Sequence, residues 1–232
     1  MKMISEKVII NDRGIKNRLK SVKPFSAISE YIWNGFDAKA DRVELTWVSN
    51  ELGTLESLSI KDNGTGIAET ELDFKFKPFL SSEKRSNTEL KYISLVHGKN
   101  GLGRLTFHKF AHNATWNTTF LSSDNSLYDY AITINSSNLD DFSKKNIVIS
   151  ESKCTGTNVV FQNIEGISDF YVQGTLIPFI EKEFAWFLFL FKELGYVLKI
   201  GSHVIQPESI IKDSESFEII IDDIEFRVEY VR

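Results

Sequence analysis

The segment from Pro24 to Ala38, which contains AISEYIWNGFDA, constrains the fold more than any other. Proline is favoured in the first turn of a helix, and helical periodicity then runs to about Ala38. At about 100° per residue, Phe25, Ile28, Ile32 and Phe36 fall on one side, while Glu30, Asn34 and Asp37 lie within an arc of about 60° opposite them. On an ordinary amphipathic helix that second stripe would be a solvated face. Here its neighbours are Ala27, Tyr31, Trp33 and Ala38, and no lysine or arginine lies between Pro24 and Ala38. A helix apolar on nearly all sides is buried. An acid and an amide buried with it need partners, because unpaired burial costs several kcal/mol. A cavity holding a metal and a polar ligand supplies them.

The chain has 232 residues, enough for one large α/β domain or one domain and part of a second. Its 27 basic residues stand against 32 acidic ones, a balance that argues against a stand-alone nucleic-acid binder. A single cysteine, Cys154, excludes an internal disulfide and suits a reducing cytoplasm. The first residues, MKMISEKVIINDRG, lack the apolar core of a secretion signal. The most apolar run, FAWFLFLF at 184–191, is far shorter than the roughly 20 residues of a membrane span. It reads as a buried helix or an interface, not an anchor.

DRVELTWV (41–48) and LESLSIKD (55–62) read as strands joined by a turn at Gly53, and IAETELDF as a short helix after the turn NGTG. Residues 75–100 are polar, basic and weakly patterned, and a long connection inside a compact domain is usually functional. A helix is expected from about Leu102 to His112. The runs ATWNTTFL, SLYDYAITI, NIVIS and GTNVVFQNI read as strands. Residues 175–194 read as an apolar helix stopped by Gly195, with YVLKI and HVI as short strands after it. The tail FEIIIDDIEFRVEYVR alternates as a hairpin turning at Asp222-Asp223, and is expected to open a second domain.

Two further clusters carry chemistry. KDNGTGI (61–67) puts Asp62 at a strand end before Gly64 and Gly66. It reads either as a tight turn opened by Asp, or as a carboxylate presented to a ligand amine, with glycines allowing close backbone approach. HGKNGLGRLTF (97–107) puts Gly98, Gly101 and Gly103 ahead of the expected helix. It is either a flexible loop or an anion site made of backbone N–H groups. No Lys-Ser/Thr follows these glycines, so it is not a P-loop. His108 and His112, spaced four apart on the expected helix, lack a third ligand for zinc. His97 has no such partner either. Cys154 has no activating neighbour and reads as a small buried residue.

Taken in order, these motifs resemble the GHKL group of Bergerat-fold ATPases, which includes the gyrase B subunit, the MutL and MORC proteins, the ninety-kilodalton heat-shock chaperones and the histidine kinases. EYIWNGFDA matches E-x-x-x-N-x-x-D-A at Glu30, Asn34, Asp37 and Ala38. Asp62, Gly64 and Gly66 match D-x-G-x-G, and Gly98, Gly101 and Gly103 match the lid motif G-x-x-G-x-G. Gly156 and Thr157 match a G-T before a strand. The resemblance covers roughly residues 20–165. It implies an α+β fold, a two-layer sandwich with a mixed sheet and helices on one face. The implied domains are a strap at 1–20, an ATP-binding domain at 21–166 with a lid at about 75–103, and a C-terminal part at 167–232 leading toward a second domain.

The resemblance also implies roles. Glu30 is the expected general base for water attack on the γ-phosphate, and Asn34 the expected ligand of Mg²⁺. Asp37 and Ala38 line the expected ATP pocket. Asp62 accepts from the adenine amino group, Gly64 allows close backbone approach, Gly66 and Ile67 pack beside the base, and Thr157 adds a hydroxyl near Asp62. Gly98, Asn100, Gly101, Leu102 and Gly103 close on the phosphates, and Lys84 is the candidate cation of the lid. Trp33 and Phe36 are bulkier than the family pattern around the Asn. Slow hydrolysis, ATP-dependent homodimerisation and a DNA or protein client reached through a second domain are implied, with repair, chaperone-like and phage-defence settings all open. The alternatives are a nucleotide-sensing interaction domain without turnover and a histidine-kinase-type catalytic domain. Glu30 and the D-A ending favour the hydrolysing branch.

Overall fold

The computed structural model describes residues 12–76 and 102–232. The expected strap therefore enters the description only from Asp12, as helix α1 (Asp12–Arg18), which buries Ile15. Helix α2 (Pro24–Asp37) begins at its proline and buries residues all round, from Ala27 and Ile28 through Tyr31, Ile32, Trp33 and Phe36. The two expected strands are β1 (Arg42–Ser49) and β2 (Leu55–Asp62), joined through Gly53 at φ +73°. A 3₁₀ turn, Glu69–Glu71, and the single-turn helix α3 (Leu72–Lys75) follow.

The expected helix 102–112 is corrected. Gly103–Lys109 is a 3₁₀ segment, and strand β3 (Ala111–Leu121) already begins at Ala111, which pairs with Ile164. Leu105, Phe107 and Phe110 are all buried, so a short 3₁₀ turn imitates helical spacing. His108 and His112 consequently sit on different elements, and no cluster of metal-binding side chains occurs among the described residues. His112 faces outward to Ser136 and Glu165.

Strands β4 (Leu127–Asn135), β5 (Asn138–Lys144), β6 (Val148–Ile149) and β7 (Gly156–Ile164) follow. Helix α4 (Asp169–Tyr171) is capped by the Ser168 hydroxyl, which accepts from the Tyr171 amide. A π-helical turn, Val172–Leu176, carries it into α5 (Ile177–Leu190), so helical structure starts earlier than 175. A 3₁₀ turn ends at Gly195, whose φ is +71°. Strands β8 (Val197–Ile200) and β9 (His203–Val204) complete the main sheet, with the order β5-β4-β3-β7-β2-β1-β8-β9 and β6 paired to β4. All pairings are antiparallel except β1 with β8. The result is a mixed sheet in an α+β fold.

Period-two alternation sends one face of every central strand to the helices. Val43, Leu45, Leu58, Ile60, Ala114, Trp116, Ile132, Val159 and Phe161 are buried there with α2 and α5. Trp33 packs on Phe184 at 4.3 Å and Phe187 at 5.1 Å between ring centroids, which explains the bulk beside Asn34: it faces α5. The opposite face is polar, with Thr46 bonded to Ser59 at 2.8 Å and Thr115 to Thr133 at 3.1 Å.

The hairpin β10 (Ser214–Ile221) and β11 (Ile224–Val231) forms a separate two-stranded sheet. Its turn is at Asp222 and Asp223, both at positive φ as a tight hairpin turn requires. Cys154 is exposed, not buried: it lies in the connection from β6 to β7, where its backbone amide donates to the Ser152 hydroxyl.

Phe161 is fully buried between Tyr31, at 4.7 Å, and Phe110, at 4.9 Å. Phe161→Ala should lower unfolding free energy by about 3–5 kcal/mol in urea titration; a loss below about 1 kcal/mol would contradict this account of the core.

Candidate functional site

Three elements converge at one end of the helix-facing layer: α2, the end of β2 with the loop after it, and the 3₁₀ segment from Gly103. Glu30, Asn34, Asp37 and Ala38 are each half-buried, while the residues between them on α2 are buried. A Cβ on Gly103 would come within 2.9 Å of Glu30 Oε2, so the carboxylate lies directly against the glycine backbone. Residues next to Glu30 tie the two elements together. The Tyr31 hydroxyl donates to the Arg104 carbonyl at 2.8 Å and accepts from the Phe107 amide at 3.2 Å. The Thr106 hydroxyl donates to the Gly103 carbonyl at 2.7 Å. Burial pushes the Tyr31 phenol well above its ordinary pKa and holds the Arg104 guanidinium down to about 10. Leu102, at the start of this segment, is buried.

Asp62 ends β2 opposite Thr157 of β7 and Val43 of β1. Its Oδ1 accepts from the Gly64 amide at 2.8 Å and the Thr157 amide at 3.2 Å. Burial raises its pKa from 3.8 to about 6 against the lowering effect of those two bonds. A carboxylate whose one oxygen is held by backbone donors is fixed in orientation. Its second oxygen is the natural acceptor for an amine.

The glycines of the loop are set by close approach. A Cβ on Gly64 would lie 2.5 Å from the Ala38 carbonyl oxygen. That same oxygen accepts from the Thr65 amide, so the end of α2 is bonded to this loop. Gly66 has φ +71°, and a Cβ there would be 2.0 Å from the Thr119 carbonyl oxygen. The half-buried Ile67 is held from both sides: its amide donates to Thr118 Oγ1 and its carbonyl accepts from the Tyr130 hydroxyl. The hydroxyls of Thr118 and Thr157 are 3.3 Å apart in the buried floor.

The structure thus brings Glu30, Asn34, Asp37, Ala38, Leu102 and Gly103 into one wall, and Asp62, Gly64, Gly66, Ile67 and Thr157 into the adjoining one. Lys84, Gly98, Asn100 and Gly101 lie outside the described residues. Several contributors escaped sequence reasoning. Gly35, inside α2, has its missing Cβ position 2.9 Å from Val43 Cγ2 and 3.1 Å from Asp62 Cβ, so it lets the helix touch the strand that carries the aspartate. Its only signal is a glycine in a helix interior, where the residue is otherwise unfavourable. Thr118 and Thr155, whose hydroxyl donates to the Gly64 carbonyl, had no local signal.

A half-buried carboxylate beside close-packed glycines thus stands next to a half-buried acid and amide. A mixed sheet carrying such a site under one helical layer defines a Bergerat-type nucleotide-binding fold. The family described as histidine kinase-, DNA gyrase B- and HSP90-like ATPase matches residues 22–165, and the chain belongs to it. Two solved structures of the ATPase region of topoisomerase II from Saccharomyces cerevisiae share the fold, one of them bound to ICRF-187 (dexrazoxane). Each is similar at a TM-score of 0.51 and 16% identity, over 78% of this chain and 48% of that one. The chain therefore spans about half the length of those topoisomerase structures.

Two outcomes follow. Gly35→Ala should destabilise the fold by about 1–2 kcal/mol, because the added methyl meets buried Val43. Val43→Ala should relieve that cost in the double variant, and strictly additive effects in a double-mutant cycle would refute the contact. For Asp62, the folded state keeps a proton between pH 3.8 and about 6 that the unfolded chain has lost. Its contribution to stability therefore falls as pH rises through that window. Asp62→Asn should abolish this dependence in urea titrations at stepped pH; an unchanged slope would show that another group carries it.

Proposed function

We propose that the chain binds ATP and hydrolyses it slowly with Mg²⁺. The observation that carries this reading is the fixed, half-buried Asp62 carboxylate set against the Glu30–Asn34–Asp37 face of α2. In this reading the second oxygen of Asp62 accepts from the adenine amino group, which selects adenine over guanine. Gly66 and Ile67 lie against the base, and the Thr118 and Thr157 hydroxyls furnish polar contacts beneath it. Asn34 offers its amide oxygen to the metal, and Asp37 and Ala38 line the nucleotide pocket. Magnesium, when bound, neutralises phosphate charge.

Glu30 is the general base. Its carboxylate sits beside the Gly103 backbone, where it accepts a proton from the attacking water if that water lies within one hydrogen bond. Water is kept from the rest of the helix by the buried residues on either side of Glu30. Lid closure and ATP-driven dimerisation belong to the same reading. So do the division into strap, ATP-binding domain and C-terminal part, a further domain that reaches a DNA or protein client, and a cytoplasmic location. Residues 1–11 and 77–101, which include most of the strap and lid, lie outside the described residues. Among the described residues no helix is long and apolar enough to cross a membrane.

Glu30→Ala should leave ATP affinity within about threefold of the parent while lowering phosphate release by about a hundredfold or more. Asp62→Asn should lose most ATP binding by calorimetry. Tight ATP binding by Asp62→Asn would overturn the adenine assignment. Absence of turnover in the parent, with binding intact, would favour a nucleotide-sensing module instead.

A further inference from the structure

Beside Glu30 on α2 stands a second polar side chain, Tyr31, which is 2% exposed. Its ring meets Phe161 edge-on at 4.7 Å between centroids and lies 6.2 Å from Trp116. Phenylalanine would fill the same space without taking a hydroxyl out of water, so the oxygen needs an account of its own. It donates to the Arg104 carbonyl at 2.8 Å and accepts from the Phe107 amide at 3.2 Å. Those two residues are three apart, which is one turn of a 3₁₀ helix. A single hydroxyl therefore clamps a complete turn of the Gly103–Lys109 segment onto α2.

The same turn is tied on its other side. Arg104 Nη2 donates to the Phe76 carbonyl at 2.9 Å, and the guanidinium carbon lies 6.0 Å from the centre of the Phe76 ring. Phe76 in turn meets Trp116 edge-on at 5.3 Å. Tyr31, Arg104, Phe76 and Trp116 thus form a closed circuit of contacts. At the start of the turn, the Thr106 hydroxyl donates to the Gly103 carbonyl at 2.7 Å and lies 3.4 Å from the Ala27 carbonyl, one turn before Tyr31. The position of Gly103 follows from these ties. A Cβ there would stand 2.9 Å from Glu30 Oε2, so no slack separates the carboxylate from this backbone. Any shift of the turn moves the surface on which the carboxylate rests.

We propose that Tyr31 is a positioning residue for Glu30: its hydroxyl, anchored through Arg104 to Phe76, fixes the Gly103 backbone against which the Glu30 carboxylate lies. Tyr31 acts through the turn and not on the substrate. The inference rests on the hydrolytic reading of the site, in which the carboxylate must stand within one hydrogen bond of the attacking water. Misplacement by about 1 Å can cost on the order of a hundredfold in rate. Adenine recognition belongs to Asp62 and its glycines on the other wall, so rate and affinity should separate.

The full chain with Mg²⁺ and ATP is compared with Tyr31→Phe, Arg104→Lys and Arg104→Met. Steady-state phosphate release, ATP affinity by calorimetry and hydrogen exchange of the Phe107 amide are measured. Tyr31→Phe keeps the packed ring, so it should fold. Its kcat should fall about tenfold or more while ATP affinity stays within about twofold, and Phe107 should exchange about tenfold faster. Arg104→Lys keeps a donor for the Phe76 carbonyl and should retain more kcat than Arg104→Met. Ile205→Val, a core change at the β9 edge of the sheet, should leave kcat unchanged. Three results overturn the proposal: kcat of Tyr31→Phe within about twofold of the parent; a rate loss matched by lost ATP affinity or reproduced by Ile205→Val, which marks plain destabilisation; or unchanged Phe107 exchange. Absence of phosphate release from the ATP-bound parent would instead remove the hydrolytic reading, and the role of Tyr31 with it, whatever the exchange shows.

Discussion

The contact between Gly35 of α2 and the Val43–Asp62 pair of the sheet governs the rest of the architecture. A helix normally stands off from a sheet by the length of its side chains. Here a missing Cβ lets backbone approach side chain, and the aspartate at the end of β2 comes next to the Asn34 turn. The two walls of the site are thereby placed in one cleft. Other interactions lock the spacing once it is reached: the Ala38 carbonyl with the Thr65 amide, the Tyr31 hydroxyl with the Arg104 carbonyl, and the aromatic layer of α5 behind Trp33. Packing around the site is dense enough that several neighbouring atoms would have to move for any one of these to change.

The electrostatic character of the cleft follows from the same burial. Asp62 is partly withdrawn from water, and two backbone amides only partly offset the cost of its charge. Such a group gains from a further donor on its free oxygen. Perturbed carboxyl groups in clefts are associated with function.

Much of this was legible in the sequence, for identifiable reasons. Helix α2 declares itself because nearly every position is apolar, and β1, β2 and β7 because buried and exposed positions alternate. The acid, amide and glycines of the cleft are readable because their spacing is local to the chain. Strand β5 was missed because it is an edge strand in which Leu139 alone is buried, so NLDDFSK carries no alternation to read. The segment 103–109 was misread because Leu105, Phe107 and Phe110 satisfy helical spacing while making only a 3₁₀ turn. Gly35 and Thr118 were illegible for a different reason: their importance lies in contacts with Val43, Asp62 and Ile67, residues brought near only by folding.

One topological feature has a kinetic side. The central strand β1 gains its second neighbour only from β8, in a parallel pairing of Arg42 with Val197, whereas α2, the helix packed on its inner face, immediately precedes it in the chain. Long-range and parallel pairings are slow to form because loop closure precedes any reward. During synthesis the first hairpin has α2 at hand for its apolar face, but both of its edges stay open until β7 and then β8 have left the ribosome. Open strand edges of this kind are the places where a nascent chain mispairs.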